Sequence, residues 1–114
     1  MNTSVTARHF DLTEKVRNHA TEAMEGLEKY FERIIDAHMV LSMEKDRWNA
    51  EARIGVPGET LTAESENELL FTAIDDAAAK AGRQLKKYKA KVTHEKDRRE
   101  RQQISSGVHR PRRR

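Results

Sequence analysis

Residues 37–66, AHMVLSMEKDRWNAEARIGVPGETLTAESE, alternate between apolar and polar side chains in three successive runs. A period of two residues is typical of β-strands that bury one face, so each run predicts a strand. The dipeptide Pro57-Gly58 separates the second run from the third and matches the central pair of a type II turn. The stretch therefore predicts an antiparallel meander, with strands at 37–45, 48–56 and 59–66.

The segment before this meander predicts one strand and one helix. Residues 2–8 alternate weakly, as in a short strand, whereas apolar side chains recur every three or four residues from Thr13 to Ile35, as on one face of a helix. Either Asp11 or Thr13 could cap this helix. Glu14 follows Asp11 by three residues, which favours Asp11 through a capping-box arrangement.

The segment after the meander predicts a second helix at about 68–91, with an apolar stripe along one side: Leu70, Ile74, Ala77, Ala81, Leu85 and Tyr88. The order β-α-β-β-β-α then predicts an α+β fold, a two-layer sandwich whose four-stranded sheet carries both helices on one face. We expect an α/β domain at 1–92. The apolar period is lost beyond it, so we expect residues 93–114 to form a basic, disordered tail.

The composition excludes several classes of site. The chain has no cysteine, so disulfides, thiolate metal sites and thiol nucleophiles are excluded. The sequence also contains no H-E-x-x-H spacing, G-x-S-x-G elbow or Gly-rich phosphate loop, and we expect no enzyme activity, metal or cofactor. It has no secretory signal and no apolar run near the roughly 20 residues that a bilayer requires. We therefore expect a cytoplasmic protein without a membrane partner.

Charge is segregated along the second helix. Residues 59–76 hold six acids and no Lys or Arg, whereas residues 80–91 hold six bases and no acid. Four of these bases form one ridge, at spacings of three, four and four: Lys80, Arg83, Lys87 and Lys91. The other two, Lys86 and Lys89, flank the opposite border of the helix.

Two interpretations of these cations remain open on charge alone. Cations near the end of a helix are favoured by its dipole, so the cluster fits an ordinary surface helix. A cationic ridge on a rigid element also suits phosphate recognition, and the basic segment after it favours a nucleic acid. No sequence-reading DNA motif is present, and shape-directed contact with structured RNA fits better. We expect the aromatic residues at the core or its edge: Tyr30, Trp48 and Tyr88.

Three stretches resemble one known family: LTEKVRNHATEAMEGLEKYFERI at 12–34, VLSMEK at 40–45 and FTAIDDAAAKAGRQLKKYKAKV at 71–92. They are similar to the ribosome hibernation promoting factors and ribosome-associated translation inhibitors. The resemblance implies a sandwich like the double-stranded-RNA-binding domain. It also implies that this sandwich lodges in the decoding channel of the small ribosomal subunit, against rRNA. There it would exclude messenger and transfer RNA and inhibit translation while preserving ribosomes.

The resemblance also implies a set of RNA-binding residues. The basic positions of the family's last helix are matched here by Lys80, Arg83, Lys87, Lys89 and Lys91. Lys86 is an added cation, and Arg17 matches a basic position on the first helix. Relatives often have Asp-Met-Tyr where this chain has residues 69–71, Leu-Leu-Phe, and contacts that rely on those groups are not carried over.

The partners implied are the small ribosomal subunit and its rRNA. A ribosome modulation factor cooperates with short members that pair dormant ribosomes, whereas a tailed inhibitor opposes pairing, and the cationic tail inclines this chain to the second behaviour. We expect this chain to lack the C-terminal dimerisation domain of long members and to be a monomer. Two other functions stay open: a protein-binding modulator of a transcription factor, and a small enzyme acting on RNA.

Overall fold

A computed structural model describes the backbone of residues 1–105 and the side chains of residues 1–93. Its elements are β1 (Asn2–Arg8), α1 (Glu14–Glu25), a 3₁₀ turn (Gly26–Lys29), β2 (Asp36–Glu44), β3 (Arg47–Val56), β4 (Glu59–Asn67) and α2 (Leu70–Ser105). The strands form one sheet in the order β1-β2-β3-β4. β1 runs parallel to β2, and the other neighbours are antiparallel. The predicted α+β fold and the order of its elements are confirmed.

The core lies between the sheet and the two helices. One row across the sheet pairs Val5 with Met39, Met39 with Ala52, and Ala52 with Ala63, so all four strands turn an apolar side chain to the same face. The helices cover this face with buried side chains that include Val16, Ala20 and Met24 from α1 and Ile74, Ala77, Ala81 and Leu85 from α2. Alternation in the strands and helical spacing in the helices thus meet in one hydrophobic layer. The aromatic residues lie where we expected them: Tyr88 is buried in this core, and Tyr30 and Trp48 pack against it.

The first helix is shorter than predicted and has a different cap. α1 ends at Glu25, and the 3₁₀ turn follows, because Gly26 is a poor helix former and α1 has no basic residue in its last turn to offset the dipole. Its N-cap is Thr13, whose hydroxyl accepts a hydrogen bond from the Val16 amide at 3.2 Å, so the preference for Asp11 was wrong. The apolar spacing beyond Gly26 still marks core positions, since Phe31 and Ile34 are buried without being helical.

The second helix is longer than predicted. It continues to Ser105, whereas the apolar stripe predicted an end near Lys91. Residues 93–105 contain no Gly or Pro and are rich in Glu, Lys, Arg and Gln, which have high helix propensity, so a helical backbone does not require the stripe to continue. The structure thus gives these residues a helical backbone where we expected disorder, and residues 106–114 lie outside the described part. The division into a domain at 1–92 and a tail at 93–114 stays a prediction.

The two hairpins of the meander use different turns. Gly58 has φ +88°, as the third residue of a type II turn requires, which agrees with the turn predicted from Pro57-Gly58. Between β2 and β3, Lys45 and Asp46 have φ +50° and +64°, the pattern of a type I′ turn. This left-handed conformation disfavours residues with a Cβ and is occupied best by Asn-Gly, so the β2–β3 turn is strained by its sequence.

Replacing this turn by Lys45→Asn with Asp46→Gly should stabilise the protein. Relief of two unfavourable φ angles should raise the free energy of unfolding by about 1 to 2 kcal/mol. Urea denaturation followed by circular dichroism measures the change. As a control, Gly58→Ala should lower the stability, since it places a Cβ at φ +88°. An unchanged or lower stability for the Asn-Gly variant would show that the turn is not strained.

Candidate nucleic-acid interface

The six predicted cations of α2 all lie on its exposed side. Lys80, Arg83, Lys86, Lys87, Lys89 and Lys91 are exposed, while Ala77, Ala81, Leu85 and Tyr88 are buried against the sheet. At 100° per residue the buried stripe fixes how α2 is rotated about its axis, and the cations then have to face away from the core. The candidate interface therefore lies on α2, and packing against the sheet sets the orientation of this helix.

One border of this exposed side meets the free edge of β4. The Lys80 ammonium donates a hydrogen bond to the Glu64 carbonyl oxygen at 2.8 Å, and the Gln84 amide donates to the Thr62 carbonyl oxygen at 2.6 Å. Both carbonyls belong to an edge strand, so these two side chains occupy acceptors that would otherwise be open to another chain. Lys80 thus has a structural contact that the sequence did not indicate, although it is exposed as predicted.

The other border meets the 3₁₀ turn. The Lys86 ammonium lies 5.1 Å from the centroid of the Tyr30 ring, and Lys89 lines an open cleft together with Lys29 and Arg33. Lys29 and Arg33 were not predicted as site residues. A helix that continued through them would have pointed them to solvent, whereas the end of α1 at Glu25 lets this segment turn toward α2. Gly26 is the only sequence signal that could have indicated that α1 ends there.

Arg17 is not brought to the cations of α2. On α1, the His19 Nε2 lies 2.8 Å from the Asp75 Oδ1, and the His19 ring packs against Phe71, so the His19 side of α1 faces α2. Two residues on a helix are separated by about 200°, which places Arg17 on the far side of α1. Arg17 is exposed there and could contact only a different part of any shared partner.

The sheet and α2 differ in how their cations are compensated. On the face of the sheet opposite the helices, Arg47 pairs with Glu66 at 2.8 Å and Arg53 pairs with Glu51 at 2.9 Å. Within residues 1–93, none of the six α2 cations forms an ion pair with another side chain. The positive charge of α2 is therefore available to an outside partner, while Arg47 and Arg53 of the sheet are paired with acids within the protein.

The described residues hold few groups for other chemistry. They contain no cluster of three or more His, Cys, Asp or Glu side chains that could hold a metal ion. His38 lies on the open face of the sheet, where its ring contacts the Ser4 and Thr6 hydroxyls.

No helix in the described part of the chain is both long enough and apolar enough to span a bilayer. At the start of α2, Leu69 and Phe71 are exposed by 65% and 37%, respectively.

Comparisons with known proteins agree with the fold and with the resemblance seen in the sequence. The chain is 32% identical to a ribosome hibernation promoting factor of Pseudomonas putida over 91 residues, which cover 80% of this chain and 89% of that protein. It is 34% identical to the Escherichia coli factor of that name over 92 residues, which cover 81% and 97%.

Two solved structures share the architecture. The N-terminal domain of Thermus thermophilus Protein Y superposes with a TM-score of 0.72 at 27% identity, covering 77% of this chain and 99% of that one. A ribosomal subunit interface protein from Coxiella burnetii gives a TM-score of 0.74 at 23% identity, covering 79% and 99%, and supports the fold alone. Residues 3–93 match the family model described as Sigma 54 modulation protein / S30EA ribosomal protein. The chain belongs to this family.

Proposed function

We propose that this chain is a ribosome hibernation factor that acts by occupancy. It binds the small ribosomal subunit in the decoding channel, contacts rRNA phosphates through the cations of α2, and blocks messenger and transfer RNA. It inhibits translation in the cytoplasm without turning over a substrate. Its family and the names of its relatives support the ribosomal role. The observation that carries the RNA contact is the set of six exposed cations on α2 that pair with no described side chain.

The geometry of α2 suits a polyanion. Residues 80–91 span about 17 Å at 1.5 Å per residue, so the six charges are spread along the length of the helix rather than gathered at one point. Each phosphate contact that these cations make releases condensed counterions. A row of this kind recognises a phosphate backbone without reading bases. Structured RNA, which proteins contact largely by shape and phosphates, is the matching partner.

A protein-binding modulator of a transcription factor is the second candidate. The exposed Leu69 and Phe71 at the start of α2 favour it, because apolar side chains with 65% and 37% exposure can be buried by a protein partner. Such an interface would gain affinity from apolar burial rather than from counterion release. The two functions therefore differ in their response to salt.

Removing three cations of the ridge should weaken ribosome binding. The variant Arg83→Gln, Lys87→Gln, Lys91→Gln keeps Lys80, whose hydrogen bond to the β4 edge is structural. Its affinity for purified small subunits should fall by at least about tenfold, and its log–log salt slope should lose about three units.

The matched control loses the same charge from other surfaces: Arg8→Gln, Lys15→Gln, Arg53→Gln. It should bind like the unmodified protein. Equal affinities for both variants would remove the ridge from the mechanism, provided that both have the urea midpoint of the unmodified protein.

Binding should also depend steeply on ionic strength. With about six phosphate contacts, raising the salt concentration from 50 to 200 mM should weaken binding to small subunits roughly a thousandfold. Titrations of labelled protein at several salt concentrations give the slope. A flat response would favour the protein-binding alternative over phosphate contact.

Imaging a complex with purified small subunits tests the site. We expect the sandwich in the decoding channel, with α2 against rRNA and the messenger path occupied. In a competition assay the protein should be displaced by messenger and initiator transfer RNA. A complex that forms elsewhere on the subunit, or that leaves messenger binding unchanged, would contradict the proposal.

A further inference from the structure

Two cations lie over one aromatic residue, Tyr30, and two more line the cleft that Tyr30 also lines. The ammonium groups of Lys29 and Lys86 lie 5.2 and 5.1 Å from the Tyr30 ring centroid. Lys89 and Arg33 line a cleft of about 390 Å³ that Lys29 and Tyr30 also line. Lys29 and Arg33 belong to the region of the 3₁₀ turn, and Lys86 and Lys89 belong to α2. The fold thus brings together charges that lie more than 50 residues apart in sequence.

A notch in α2 holds Tyr30 in place. A Cβ added at Gly82 would come within 2.9 Å of the Tyr30 Cε2, which is closer than side chains pack, so the ring fits only because residue 82 has no side chain. Tyr30 is partly buried and packs against the core. The ring therefore has a fixed position, and the two ammonium groups lie over it.

Tyr30 positions the lysines for an anion. Both ammonium groups lie within 5.2 Å of one centroid, so they are at most about 10 Å apart although they repel each other. The negative face of the ring attracts each of them, which offsets part of this repulsion. Holding the two charges near each other before binding reduces the ordering that a ligand would otherwise impose.

The cleft has a net positive charge that the protein does not neutralise. Glu28 and Glu32 also line it, but neither forms an ion pair with a described side chain, and the four cations do not either. Arg33 instead lies over the Phe31 ring, 6.0 Å from its centroid. Four cations against two acids leave the cleft attractive to a polyanion.

We propose that this cleft extends the RNA-binding surface beyond α2 by adding Lys29 and Arg33, and that it takes consecutive phosphates of one RNA strand. Lys29, Arg33, Lys86 and Lys89 bind the phosphates, and Tyr30 is a positioning residue. The inference rests on the proposed function and extends its contact surface across α2, from the ridge to the 3₁₀ turn. Because the cations are spread over two segments around a ring, they match several phosphates of a strand better than one small anion.

The test is a variant that alters the cleft and leaves α2 unchanged. Lys29→Gln with Arg33→Gln should lower the affinity for purified small subunits by about tenfold, and the log–log salt slope should fall by about two units. The control Arg8→Gln with Arg53→Gln loses the same charge on the open face of the sheet and should bind like the unmodified protein. Urea midpoints identify any variant that fails to fold.

The role of Tyr30 has its own readout. Tyr30→Phe keeps the ring and should bind like the unmodified protein, whereas Tyr30→Leu should weaken binding several-fold. In a double-mutant cycle, the effects of Lys29→Gln and Lys86→Gln should be coupled in the presence of Tyr30 and independent in the Tyr30→Leu background. Equal binding of the Phe and Leu variants, with unchanged coupling, would overturn the positioning role.

The outcomes separate this inference from the proposed function. If the Lys29/Arg33 variant binds normally while the ridge variant does not, the cleft proposal is overturned and the ridge stands. If both variants bind normally, both proposals fall. A weaker affinity with an unchanged salt slope would show that the cleft contacts protein rather than phosphate, and would overturn the proposal for RNA.

Discussion

The packing of α2 on the sheet is the constraint on which the rest of the molecule depends. Three alanines that α2 buries, Ala73, Ala77 and Ala81, are completely covered, so the helix axis can lie close to β3 and β4. Side chains of this size have a single rotamer and lose little entropy on burial. Ile74 and Leu85 are also fully buried, and together with the alanines they fix the rotation of α2. Every exposed position on the helix then points in a defined direction, and the positions that carry the cations point away from the sheet.

Much of the fold could be predicted because period-two and period-3.6 patterns report burial directly. The four strands, the turn at Pro57-Gly58 and the rotation of α2 all follow from where apolar side chains recur. Predictions failed at the ends of the helices, because backbone energetics and not burial decide where a helix ends. The spacing through Phe31 and Ile34 reports that they are buried, but not that the helix has already ended at Glu25. Likewise, the loss of the stripe after Val92 marks the end of the core and not the end of α2.

The candidate site was predictable only in the part that lies on one regular element. The six cations of α2 have fixed angular relations, so the sequence alone places them on a surface. Their neighbours depend on tertiary structure: the contact of Lys80 with the β4 edge and the meeting of Lys86 with Tyr30 join residues far apart in the chain. The absence of a side chain at Gly82 is visible in the sequence, but its partner, the Tyr30 ring, is not.

The side chains along the β4 edge also affect whether the protein associates with itself. At high protein concentration, an open strand edge can pair with the edge of another chain, and chains then join into fibres. Lys80 and Gln84 already occupy the Glu64 and Thr62 carbonyls. Side chains of α2, the helix that carries the cations, therefore also protect the β4 edge from pairing with another chain.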